Sequence, residues 1–171
     1  PELVVATASV LQGVGPSVEA FTAPTDAVVL TPPIYFPFND IGRTTGRRIV
    51  DWPLVRDEDG WHYDLNHLEH LLSVDPGIRL LVLCHPHNPT GRVLTEPELV
   101  QIVDLCTHYD VVIASDEIHC DFVYPGATHR PTATIPGAGE RTVTLSAASK
   151  TIGIGGLRAG GASVAAEAHH R

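Results

Sequence analysis

The sequence predicts an α/β fold: a mainly parallel sheet flanked by helices. Two observations predict it. Several runs of four or five consecutive apolar residues read as strands buried on both faces, the pattern of parallel sheets rather than one-sided antiparallel ones. Between them lie stretches with apolar residues at helical spacing, so that strand and helix alternate along the chain. The 171 residues suffice for one domain or part of one, and 43% hydrophobic content can build a sizeable core.

Taken in order, Leu3-Val4-Val5-Ala6 reads as the first strand, and a helix follows from about Ser9 to Phe21. Ala27-Val28-Val29-Leu30 is the second strand, closed by Pro32-Pro33, which cannot extend a ladder. Arg48-Ile49-Val50-Asp51-Trp52 is the third. Arg56-Asp57-Glu58-Asp59-Gly60 reads as a solvated turn, with too few further oxygen ligands at suitable spacing for a metal loop. Asp64 can cap a helix whose Leu65, Leu68, Leu71 and Leu72 fall at helical spacing. Leu80-Leu81-Val82-Leu83-Cys84 is a continuous apolar strand. Thr95-x-x-Glu98 is a capping box opening a helix with Leu99, Ile102, Val103 and Cys106 on one side. Val111-Val112-Ile113-Ala114 and Thr142-Val143-Thr144-Leu145 are the last two buried strands.

Composition narrows the function. A formal charge of −9 disfavours nucleic acid and anionic membrane as partners, since both need a basic surface. No apolar run approaches the roughly 20 residues that span a bilayer, and no signal-peptide pattern opens the chain. Cys84, Cys106 and Cys120 are odd in number, lack a Cys-x-x-Cys pair and read as small buried hydrophobes, which fits a reducing, cytoplasmic compartment. The chain begins at Pro1 and contains no methionine, from which an excerpt of a longer polypeptide is expected.

In open α/β sheets ligands collect at the carboxyl ends of strands. Here those ends read Thr7-Ala8-Ser9, Pro33-Ile34-Tyr35, His85 to Gly91, Ser115-Asp116-Glu117-Ile118-His119 and Ser146-Ala147-Ala148-Ser149-Lys150. An aromatic, an amide, a carboxylate, an imidazole and a lysine would share one crevice, which core packing does not require. Lys150 is the sole lysine beside ten arginines. Arginine stays protonated near neutrality, whereas a partly desolvated lysine amine can attack a carbonyl and form a Schiff base. Plainer roles stand beside each of these residues: a surface lysine, a turn built on Asn88-Pro89-Thr90-Gly91, a packing Tyr35, an N-cap Ser9, a hydrogen-bonded buried His119. His85, His87 and His119 invite a zinc reading, but His-x-His lacks a third ligand at motif spacing, so no metal is expected. His169 and His170 belong to an irregular end and take no role.

Asn88-Pro89-Thr90-Gly91, Ser115-Asp116-Glu117-Ile118-His119 and Ser149-Lys150-Thr151, with Arg158 eight positions after the lysine, resemble the large domain of fold-type I pyridoxal-phosphate enzymes. More narrowly they resemble the class I/II aminotransferase family in its cystathionine β-lyase-like, or C–S lyase, branch, from Thr7 to about Arg158. The resemblance implies pyridoxal 5'-phosphate as cofactor. Lys150 would hold it covalently and act as base at the substrate Cα. Asp116 would pair with the pyridine nitrogen, Asn88 would hydrogen-bond the phenolic oxygen, and Tyr35 would stack on the ring. Arg158, Ser149 and the N–H groups of Ser9, Val10 and Leu11 would bind the phosphate. His119 stands where many aminotransferases carry tyrosine and the lyase branch often carries histidine.

The sequence departs from that pattern in places. Ala147 replaces a frequent serine near the phosphate, Ile152-Gly153-Ile154-Gly155 replaces a segment with an aromatic and an asparagine, and Gly161 replaces a frequent tyrosine. Glycines loosen the loop that must hold the lysine. The resemblance further implies that residues 1–171 are part of the large domain. A small domain with the arginine gripping the substrate carboxylate, and an N-terminal segment reaching a partner subunit, would lie outside them. The implied function is β-elimination from cystathionine or a cysteine S-conjugate, giving pyruvate, ammonia and thiol, by a full-length homodimer acting on a small amino acid. The alternatives are a class I/II aminotransferase, which forms the same carbanion, and a cofactor-binding regulatory module, against which the acidic charge and the lack of a visible DNA-binding segment count.

Overall fold

Each short apolar run takes its place as a strand in one sheet of the computed structural model, which describes residues 4–164. Leu3 of the expected first strand, and His169 and His170, lie outside the described residues. The strands are β1 (Val4–Thr7), β2 (Ala27–Leu30), β3 (Arg48–Asp51), β4 (Val55–Asp57), β5 (Gly60–His62), β6 (Ile78–Cys84), β7 (Val112–Asp116), β8 (Thr142–Ser146) and β9 (Gly160–Val164). The helices are α1 (Val10–Phe21), α2 (Ile41–Thr45), α3 (Leu65–Val74), α4 (Glu96–His108) and α5 (Ala148–Thr151).

Seven strands form the main sheet in the order β1-β9-β8-β7-β6-β2-β3. From β3 to β8 every pairing is parallel, and β9 runs antiparallel between β8 and β1. The central strands are buried on both faces, as their unbroken apolar runs require. Val28, Leu30, Leu80 and Val82 pack with Val10, Val14 and Val18 of α1 and Ile41 of α2. Ala27, Val29, Leu81 and Leu83 pack with Leu68 and Leu72 of α3 and Leu99, Ile102, Val103 and Cys106 of α4. Local chemistry fixes where the helices begin. The side chains of Ser9 and Asp64 accept the N–H groups of Gln12 (3.2 Å) and His67 (3.0 Å), and both halves of the Thr95/Glu98 capping box are formed.

The structure corrects three readings. Arg56–Gly60 is more than a turn: it closes the two-stranded hairpin β4–β5, pinned by Asp57 Oδ1, which accepts from Asp59 N–H and Gly60 N–H. β1 is apolar but lies at the sheet edge, with Val4 55% and Val5 64% exposed, so it is not a strand buried on both faces. β9 was not expected, because Gly160-Gly161-Ala162 has little β-propensity; it becomes a strand by pairing on both sides. Among the described residues no helix is long and apolar enough to cross a membrane.

Candidate active site

Parallel pairing puts the carboxyl ends of β2, β6, β7 and β8 at one edge, and β1 joins them because it runs with β8 across the antiparallel β9. The register is close: Cys84 lies opposite Asp116, Asp116 opposite Leu145, Ser146 opposite Gly161 and Thr7 opposite Gly160. Thus Ser9 at the start of α1, Asn88 after β6, Asp116 and His119 after β7, Ser149 and Lys150 in α5 and Arg158 before β9 all leave the sheet at the same edge. Tyr35, five residues beyond β2, belongs to that edge as well.

Asp116, the last residue of β7, is 5% exposed. Burial is the main reason its pKa rises to about 6; the neighbouring Glu117 adds to the rise, while the Ile118 N–H it accepts (3.1 Å) and the charge of Lys150 oppose it. His119 is half-buried, and its pKa is lowered by burial and then by Lys150. One lysine charge thus bears on both residues. Lys150 itself is exposed on α5, and among the described residues its side chain has no ion-pair or hydrogen-bond partner.

The phosphate candidates occupy suitable backbone. Ser9 spends its hydroxyl on the Gln12 N–H, leaving the N–H groups of Val10 and Leu11 among those a helix start cannot satisfy internally. Arg158 is exposed and adopts a left-handed conformation (φ 52°), which turns the chain into β9. Tyr35 is 41% exposed and packs edge-on against Phe36 and Phe38, at 5.3 and 5.9 Å between ring centroids. Asn88 is half-buried; its backbone N–H donates to Cys84 Sγ at 3.4 Å.

Behind this edge stands a layer that sequence reasoning missed. Glu117 is 3% exposed and accepts from Ser115 Oγ (2.9 Å), Thr132 N–H (2.9 Å) and His129 Nε2 (3.1 Å). Burial pushes its pKa up, but these hydrogen bonds outweigh it and leave the carboxyl below its ordinary value. Cys84, read as a buried hydrophobe, also reaches Pro86 O at 3.5 Å and Asp116 Oδ2 at 4.0 Å, and burial keeps its thiol protonated. A signal for Glu117 lies in the sequence: it follows Asp116 directly at the end of an apolar strand, where successive side chains point to opposite faces of a sheet covered on both. The zinc trio is not assembled. His87 is bound to Thr31 O (3.1 Å) and Thr90 Oγ1 (2.9 Å), His85 Nδ1 accepts from Leu94 N–H (3.2 Å), and among the described residues no three ligating side chains converge.

Comparison with known proteins identifies the family. The family model for aminotransferase class I and II matches residues 5–170. The chain is 38% identical over 160 residues to the cystathionine beta-lyase PatB of Bacillus subtilis, covering 93% of this chain and 41% of that protein. Among solved structures it is similar to cystalysin from Treponema denticola, which contains a pyridoxal 5'-phosphate cofactor (TM-score 0.90, 33% identity, 95% of this chain and 41% of that one). It is equally similar to N-succinyldiaminopimelate aminotransferase from Mycobacterium tuberculosis (TM-score 0.91, 32% identity, 97% and 43%). The chain therefore spans about two fifths of the length of these relatives.

Proposed function

This chain belongs to the class I and II aminotransferase family, and we propose that it is the cofactor-binding part of a pyridoxal-phosphate-dependent carbon–sulfur β-lyase. The observation that carries the reading is the gathering of Asp116, His119 and Lys150 at one sheet edge, where the lysine charge bears on both neighbours. The donor set fits the cofactor. Asp116 is a buried carboxylate with no ion-pair partner among the described residues, and a protonated pyridine nitrogen is the kind of partner such a group lacks.

Bound pyridoxal phosphate supplies an electron sink for the pair left at the substrate Cα. Lys150 Nζ is the group that would attach the cofactor and, when free, would take the substrate Cα proton. Asp116 would hold a proton at the pyridine nitrogen, Asn88 and His119 would hydrogen-bond the phenolic oxygen, and Tyr35 would cover one ring face. Arg158, Ser149 and the N–H groups of Ser9, Val10 and Leu11 would bind the phosphate. The Cβ–S bond then breaks with its electron pair leaving on sulfur, and the unsaturated amine that remains hydrolyses to pyruvate and ammonia. Substrates of this kind are cystathionine and cysteine S-conjugates.

We assign the protein to the reducing cytoplasm, in keeping with three free thiols, and expect a homodimer in full-length form. The test is product analysis on the full-length protein. Cystathionine or a cysteine S-conjugate is expected to yield pyruvate and free thiol with no keto acid added. Strict dependence on a keto acid, with stoichiometric amino transfer, would move the assignment to aminotransferase, the reading that the likeness to the diaminopimelate enzyme favours.

A further inference from the structure

We propose that Asp121 is a positioning residue for Lys150, acting through Thr151; the inference rests on the reading of Lys150 as the cofactor-bearing lysine. α5, which carries Lys150, has little of its own to hold it. It is four residues long, Ala147 offers no side-chain cap, and none of its residues is buried. The glycine-rich stretch from Gly153 to Gly156 follows, with Gly153 in the left-handed region (φ 67°). Two backbone bonds close the turn, Ile152 N–H to Ala148 O (3.0 Å) and Gly153 N–H to Lys150 O (3.3 Å). Among the described residues one side-chain hydrogen bond ties residues 147–158 to the rest of the fold: Thr151 Oγ1 donates to Asp121 Oδ2 at 2.5 Å, across 30 positions of sequence.

The acceptor sits on a firm platform. Asp121 belongs to a tight turn closed by Cys120 N–H to Glu117 O (3.0 Å) and Phe122 N–H to His119 O (2.9 Å). The base of that turn is Glu117, locked in the core by Ser115, Thr132 and His129. The Cys120 thiol beside it is kept protonated by burial and then by the Asp121 charge. His119 rides on the same turn. The Asp121–Thr151 bond therefore couples the segment bearing the lysine to the segment bearing the histidine, and it takes over work that the glycines leave undone. A charge-assisted hydrogen bond is the stronger kind of polar tether.

Amide hydrogen exchange in the 171-residue chain reads the tether directly at Ile152 and Gly153. Asp121→Ala is expected to speed exchange at these two amides by about tenfold, the scale of one such hydrogen bond. Strands β7 and β8 should be unaffected. Thr151→Val should do the same, the double variant should be no faster than either single one, and Asp121→Asn, which keeps an acceptor oxygen, should restore most of the protection. The rate at which pyridoxal phosphate becomes attached to Lys150, trapped with borohydride, should fall in parallel. Unchanged exchange in both single variants, additive effects in the double variant, or failure of Asp121→Asn to rescue would each overturn the proposal. A wild-type chain that takes no label at Lys150, with the exchange pattern as expected, would instead overturn the cofactor reading and leave the tether standing.

Discussion

Burial places the Asp116 carboxylate where ionisation is costly without a cationic partner, and that cost has a pH signature. With its pKa raised to about 6 from 3.8, the folded chain keeps a proton that the unfolded chain has lost between those values. Stability contributed at this residue therefore falls as pH rises from about 4 to about 6, by on the order of 3 kcal/mol, and stays lower above. His85 acts oppositely: burial lowers its pKa to about 4, so its contribution is lost as pH falls from about 6.5. The difference between variant and parent separates the two. Asp116→Asn without cofactor should unfold at higher urea than the parent at pH 7, and this advantage should shrink towards pH 4. The same variant should lose on the order of 10²-fold or more in turnover in the full-length enzyme, the scale of removing a preorganised charge. Equal urea midpoints at pH 7 would show that Asp116 already has a partner. Lys150→Ala should remove all borohydride-trapped label except at the amino terminus, because the chain has no other lysine.

At the scale of elements, the site depends on how closely β1, β8 and β9 approach. A Cβ at Gly160 would lie 3.1 Å from Thr7 Oγ1, 3.2 Å from the Ser9 carbonyl carbon and 3.3 Å from Ser146 O. Two of these are backbone atoms of the strand and helix ends that face the site, and they have little room to give. Gly160→Ala is expected to cost about 1–3 kcal/mol in urea unfolding, the usual cost of overpacking. It should also weaken cofactor binding, since Ser9 and Ser146 would shift. Gly161 is different: its nearest neighbours would be Val5 O at 3.7 Å and Val4 Cγ1 at 3.9 Å, ordinary contacts that leave room for a side chain. α4 tests the capping box. Thr95→Ala removes the acceptor for Glu98 N–H and one of the donors to the Glu98 carboxylate, and should cost about 1 kcal/mol without touching cofactor attachment.

For the whole molecule, five separate chain segments must meet for the site to exist, and the matched relatives are more than twice as long as this chain. The 171-residue chain is therefore expected to take borohydride-trapped label at Lys150 yet to turn over sulfur amino acids at least about 10²-fold more slowly than the full-length protein, the scale of lost substrate orientation. Comparable turnover by the two would place the substrate grip within residues 1–171.

The sequence by itself determined the parallel sheet, the three helix starts and the candidates at the strand ends. These are local matters: a four-residue apolar run favours a strand whatever its neighbours, and Ser9, Asp64 and Thr95 cap helices through neighbours three residues away. Only the tertiary structure decided which strands are neighbours, that Gly160–Val164 is a strand, that β1 lies at an edge, and that Glu117 is buried against His129 while Asp121 holds Thr151. Each of these rests on partners 12 to more than 150 positions away, as Glu117 to His129 and Thr7 to Gly160 are. No periodicity records such pairings, because the cost of taking these polar groups out of water is offset only by hydrogen bonds to partners remote in the chain, which meet only once the sheet has formed.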